Sequence, residues 1–161
     1  MSYPDPTYFG SGDVLARYRP ADTPPDLPRV GGSASYLATG ATTDGRFGLY
    51  RWDMGPEVAG AAAHFHRTFS ESFFVVSGTV QLFDGNVWLD GRPGDFLYVP
   101  EGGLHGFRNE SGAPASLLIL FTPGAPREAY FEGLVELAEG RWTPSHDELQ
   151  AFLEEHDNIY V

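Results

Sequence analysis

From Ser35 to Thr122 the chain is a series of short β-prone runs separated by turn signals, and this spacing limits its fold more than any other feature. The runs are FGLYRWDM (47–54), SFFVVS (72–77), TVQLF (79–83), VWL (87–89), FLYV (96–99) and SLLILF (116–121). Between them stand Asp44-Gly45, Asp84-Gly85-Asn86, Asp90-Gly91 and Gly102-Gly103, residue types that tolerate the backbone angles of tight turns. Many short strands at this spacing form a sandwich or a barrel. A chain of 161 residues is one domain, large enough to bury a core.

The flanks follow other patterns. Residues 1–32 are rich in Pro, Gly and Asp, including Pro24-Pro25 and Pro28, and are expected to form an arm with one short strand. After the last β-run the period changes. Arg127 to Ala138 (REAYFEGLVELA) is expected to be helical, with Pro126 as its start signal. A second helix is expected from Ser145 to Glu155, where Ser145 and Glu148 make an S-x-x-E capping box. The expected organisation is therefore an N-terminal arm (1–32), an all-β barrel (35–122) and a helical C-terminal cap (123–161).

Charge and composition narrow the partners. Net charge is −12 and all ten basic residues are Arg, so phosphate backbones would repel the chain and nucleic acid is not an expected partner. No apolar run approaches the roughly 18 residues that span a bilayer, so no membrane partner is expected. The opening MSYPDPTYFG has neither the basic nor the apolar region of a secretory signal. With no Cys, disulfides and thiolate metal sites are excluded. The expectation is a soluble, cytoplasmic protein whose partner is a small-molecule substrate, with a homodimer as a possible assembly.

Two segments carry the chemistry. GAAAHFHRTFSESFFVVSG (60–78) contains His64, His66 and Glu71, and GDFLYVPEGGLHGFRN (94–109) contains His105. Four N/O donors without sulfur suit a Lewis-acidic or redox-capable divalent ion with positions left for substrate. In a β-strand residues i and i+2 share a face, roughly 6.6 Å apart. Two imidazoles placed so can tilt toward one ion at about 2.0–2.2 Å. Glu71 lies at an odd offset from His66, so an unbroken strand would turn it to the opposite face. Residues 67–70 must therefore bend the chain, with a new strand starting near Glu71. His105 is expected on a different strand, facing the other three across the barrel interior.

These segments resemble the cupin superfamily, whose motifs are G-x5-H-x-H-x(3,4)-E-x6-G and G-x5-P-x-G-x2-H-x3-N. The second matches at Gly94, Pro100, Gly102, His105 and Asn109. The first matches from His64 to Gly78, except that its leading glycine is displaced: position 58 is Val58, and Gly60 lies four residues before His64. Fifteen residues separate Gly78 from Gly94, similar to small single-domain cupins. The stretch PGAPREAYFEGL (123–134) looks like the segment that covers the barrel mouth in quercetinase-like monocupin dioxygenases.

The resemblance implies a double-stranded β-helix (jelly-roll) barrel with C-terminal helices and a divalent metal ion held by His64, His66, Glu71 and His105. Gly78, Gly94, Gly102, Pro100 and Asn109 would serve architecture. Strand parity turns Phe73 inward with Glu71 and Phe107 inward with His105, while Tyr50 and Trp52 share one face of an earlier strand. These four are the expected substrate-pocket residues. His146 and His156 lack motif context and are expected to face solvent. The leading functional expectation is a dioxygenase of phenolic or enolisable aromatics using Fe, Ni, Mn or Co, with Glu71 as catalytic base. A redox-neutral cyclase or isomerase of polyketides or sugars, for which Zn would serve, is the alternative. A non-catalytic small-molecule-binding cupin is the third.

Overall fold

The computed structural model describes residues 2–161, and eleven strands and two helices form its regular structure. Strands β1 (Leu27–Arg29), β2 (Gly32–Ala38), β3 (Gly48–Met54), β10 (Ala115–Thr122), β5 (Ser70–Ser77) and β8 (Phe96–Val99) make one sheet, in the order β1-β2-β3-β10-β5-β8. Strands β11 (Ile159–Tyr160), β4 (Ala59–Phe65), β9 (His105–Asn109), β6 (Val80–Phe83) and β7 (Trp88–Gly91) make the other, in the order β11-β4-β9-β6-β7. Every recorded pairing is antiparallel. The all-β, jelly-roll expectation holds, in the form of two facing sheets rather than a barrel closed by continuous hydrogen bonding.

The β-run boundaries follow from alternation. Strand β3 carries Tyr50, Trp52 and Met54 inward while Arg51 faces solvent, the half-buried pattern its sequence announces. On β10 nearly every residue is covered, so it reads as the continuous apolar run SLLILF. The sheet also extends beyond the expected barrel. Strands β1 and β2 begin within or just after the presumed arm, because Leu27–Arg29 pairs with Gly32–Ala34 as a hairpin.

Both helices lie where the sequence places them. Helix α1 (Glu128–Ala138) begins after Arg127, and α2 (His146–Glu155) is capped by Ser145, whose side chain accepts from the Glu148 backbone while the Glu148 carboxylate accepts from the Ser145 N–H. The tail after α2 does not stay helical. It turns through Asp157, at φ 53°, and joins the sheet as β11, pairing Tyr160 with His64. Helix α1 packs its Phe131 ring against Tyr50 at 5.2 Å and Trp52 at 5.1 Å, closing one end of the space between the sheets.

Gly60 shows what its displaced motif position is for. It sits on β4 at φ 151°, and a Cβ there would lie 2.1 Å from the Phe107 carbonyl oxygen of β9. The close approach of β4 to β9, which carry His64 and His105, requires glycine at this point. Gly60→Ala should cost about 1–3 kcal/mol, the usual penalty for forcing atoms into a packed interior, measured by chemical denaturation.

Candidate metal centre

His64 is the penultimate residue of β4, His66 follows directly after the strand, Glu71 is the second residue of β5, and His105 opens β9. All four side chains are buried, at 4%, 3%, 5% and 1% exposure in that order. One ligand atom from each lies within 4.8 Å of the other three, so the set is arranged for a single metal ion.

The bend expected between His66 and Glu71 is present, and it moves the chain from one sheet to the other. Glu71 therefore faces the histidines from the opposite sheet. His105 does not lie across from His64, as expected from sequence, but beside it: β9 is hydrogen-bonded to β4, with His64 and His105 in register. A register shift between Ala61 and His64 brings the pair alongside each other, their rings 4.4 Å apart. Adjacent strands carry the imidazoles and the facing sheet supplies the carboxylate.

Each imidazole is oriented by a backbone carbonyl. The Nδ1 atoms pair with Ala62 O (2.8 Å, His64), Asp157 O (2.5 Å, His66) and Gly103 O (2.9 Å, His105). With Nδ1–H donating in each case, every Nε2 faces the centre, as a lone-pair donor to an ion or, when the ring is protonated, as a hydrogen-bond donor to Glu71; outer partners fix metal-binding tautomers in this way. Nε2 of His66 and Nε2 of His105 both meet one oxygen, Glu71 Oε2, at 2.9 and 2.8 Å.

The electrostatics follow from burial and proximity. Burial pushes His64 down to about 4, although the Glu71 carboxylate pulls the other way. Burial would raise Glu71, but hydrogen bonds from His105 and His66 outweigh it and hold the carboxyl well below its ordinary range. For His105, burial lowers proton affinity, and the hydrogen bond and charge of Glu71 overcome this and raise it.

Sequence reasoning missed Asp157. Its carbonyl orients His66, and its Oδ2 accepts from Arg67 N (2.8 Å), Thr68 N (2.8 Å) and Thr68 Oγ1 (2.7 Å). One tail residue thus shapes the bend that brings Glu71 back to the histidines. The bend Arg67-Thr68-Phe69-Ser70 gives no hint of a partner some ninety residues later. His156, expected in solvent, is instead half-buried against Phe152 (4.7 Å) and Tyr130 (5.6 Å), whereas His146 is exposed. Asn109 is fully buried and donates to Gly55 O and Ala113 O, both 2.8 Å away, an architectural role.

A cavity of about 840 Å³ opens onto the centre, with His64 and Glu71 in its wall. Of the four expected pocket aromatics, Trp52 and Phe107 line it. Tyr50 and Phe73 do not line it; both are fully buried in the core. The Tyr50 hydroxyl is drawn off to Glu128 Oε1 at 2.5 Å, and the Phe73 ring lies between His105 (5.8 Å) and Phe107 (5.5 Å). Helix α1 supplies walls that parity on the strands could not reveal: Tyr130, Phe131, Leu134 and Val135.

Fold and site together define a two-sheet jelly-roll protein with a buried His₃-carboxylate centre. Residues 50–121 of the chain match the cupin domain family. The chain is 28% identical over 116 residues to quercetin 2,3-dioxygenase of Bacillus subtilis (strain 168), covering 72% of this chain and 34% of that protein. The chain thus spans about a third of that relative's length. Among solved structures, it is similar to KdgF from Halomonas sp. at a TM-score of 0.58 and 15% identity, over 68% of this chain and 94% of that one. It is also similar to a sugar phosphate isomerase of the cupin superfamily from Silicibacter pomeroyi, at a TM-score of 0.51 and 28% identity, over 63% of this chain and 67% of that one.

Two expected outcomes test the centre. The His66→Ala/His105→Ala double variant should lose bound metal by elemental analysis; stoichiometric metal in that variant would show that the ion sits elsewhere. Protons compete with the ion for Nε2, so occupancy should be full above the histidine range and fall as pH drops through about 6.5. His105, whose proton affinity is raised, should take a proton before His64, whose affinity burial lowers. Flat occupancy down to about pH 4 would be incompatible with histidine ligation.

Proposed function

We propose that the chain is a metal-dependent dioxygenase acting on a flat phenolic or enolisable aromatic molecule. One observation carries most of the weight: His64 and Glu71 of the four-ligand set stand in the wall of a cavity whose other walls include Trp52, Phe107, Phe121, Tyr130 and Phe131. Aromatic walls of this kind suit a flat ring, and a few convergent polar groups fix its orientation. Three imidazoles and a carboxylate leave about two of six octahedral positions for ligands. A redox-active divalent ion (Fe, Ni, Mn or Co) held there would supply neighbouring positions for an ionised substrate and dioxygen.

The chain's own residues account for the rest. Glu71 is ionised, its Oε2 is held by two imidazoles, and Oε1 has no hydrogen-bond partner among the described residues. That free oxygen is the group placed to accept the proton of a substrate hydroxyl, within the first coordination sphere. Helix α1 contributes Tyr130 and Phe131 to the cavity wall, faces against which the ring would pack. Similarity to quercetin 2,3-dioxygenase of Bacillus subtilis supports the same reading.

Similarity to the sugar phosphate isomerase favours a second reading, a redox-neutral isomerase or cyclase in which the ion, Zn included, polarises a carbonyl. A sugar would need several polar side chains around the ion. The walls here are mostly aromatic and aliphatic, which places this reading second. Metal analysis of the isolated protein and oxygen uptake with flavonols and polyketide-like phenols separate the two. A redox-active metal with substrate-dependent uptake supports the dioxygenase, and zinc without uptake supports the isomerase or cyclase.

Glu71→Gln keeps an oxygen ligand and removes the proton acceptor. Metal content should persist in part while turnover falls by roughly 10²–10⁴-fold, the range of general acid–base catalysis. A variant that keeps metal and full turnover would remove the base role, and parallel loss of both would reduce Glu71 to a ligand alone.

A further inference from the structure

Of the three arginines in the cavity wall, Arg29, Arg127 and Arg141, only Arg127 is buried, and the metal-centred proposal leaves it unused. It is 3% exposed, lines the same cavity as His64 and Glu71, and lies just ahead of α1. Its two recorded hydrogen bonds go to neutral acceptors of the C-terminal tail: Nη1 donates to His156 O and Nη2 to Asn158 Oδ1, both at 2.6 Å. Nε is buried with no partner. Among the described residues no carboxylate forms an ion pair with it.

A clamp onto a carbonyl and an amide needs donors but not a charge. A guanidinium keeps its charge even when buried, and a buried charge without a counter-ion is costly. Aromatic faces compensate part of that cost: Tyr130 lies 4.1 Å from the guanidinium carbon, and Phe69 and Phe121 lie at 5.2 Å. A divalent ion held by three neutral imidazoles and one carboxylate would leave a net positive charge on the same cavity. Both features call for an anion.

We propose that Arg127 is the anion-recognition residue of this cavity, so that the molecule bound beside the metal centre carries a carboxylate or an ionised enol or phenol oxygen. This rests on the cavity being the substrate site, and it narrows the aromatic substrate class to one that is anionic where it meets α1. The guanidinium, left without a carboxylate partner, supplies the attracting charge, and the surrounding rings hold the flat part of the molecule.

The test compares binding of 2-naphthoate and its neutral counterpart 2-naphthamide to the full-length protein as isolated, by calorimetry, with metal content measured in each sample. Two variants isolate the charge. Arg127→Gln removes it. Asn158→Asp keeps an oxygen acceptor for Nη2, and so keeps the tail docked, but gives the guanidinium a carboxylate partner. Wild type should bind naphthoate at least about tenfold tighter than naphthamide, and that preference should fall by about tenfold in both variants. No naphthoate preference in wild type, or a drop of less than about threefold in a variant that retains its metal, overturns the assignment. Asn158→Asp decides the matter where Arg127→Gln fails to fold. Absent oxygen uptake would remove the dioxygenase proposal and leave these ratios untouched; unchanged ratios remove the Arg127 role whatever the oxygen uptake.

Discussion

A carboxylate that is 5% exposed cannot stay ionised between two sheets without partners, and Glu71 finds them only in imidazoles carried by the opposite sheet. The surrounding structure is organised to make that meeting possible. Strand β4 must leave its sheet after His66, the chain must cross to the facing sheet within four residues, and β9 must lie tight enough against β4 for His105 to stand beside His64. Gly60 permits the approach of the strands, and Asp157 stabilises the crossing. The backbone carbonyls behind each ring then leave the imidazoles one useful direction, inward.

The C-terminal segment does more than cover an opening. It orients His66 through Asp157, adds β11 beside His64, and is tied to the start of α1 through Arg127. Displacing the tail would therefore disturb the metal centre and the cavity wall together. Because α1 carries Tyr130 and Phe131 over the cavity, the same segment determines the shape a ligand meets. Metal geometry and ligand fit are coupled through one stretch of chain, although all four metal ligands lie outside it.

Beside the metal centre the buried polar groups of the cavity wall are His64, Glu71 and Arg127, while Arg29, Glu57, Glu139 and Arg141 line it at less buried positions. Aromatic faces fill the space between them. Such a distribution orients a flat molecule by its oxygens and holds its ring by area, which is the basis for ranking aromatic above sugar substrates.

Sequence alone carried the parts of this protein that depend on local periodicity and spacing. The β-prone runs placed β3, β5, β6, β7, β8 and β10 to within a few residues, the capping box placed α2, and the odd offset between His66 and Glu71 required the bend that is present. The four ligands were legible because two motifs hold them at short, set spacings. Tertiary structure alone decided which strands lie side by side and which face each other, so His105 came to stand beside His64 rather than opposite it. It also decided that Trp52 and Phe107 reach the cavity while Tyr50 and Phe73 do not, and that Asp157 and Arg127 serve the site. Period-two parity tells which face of a strand a residue occupies, but strand neighbours and long-range hydrogen bonds are set by how the whole chain packs.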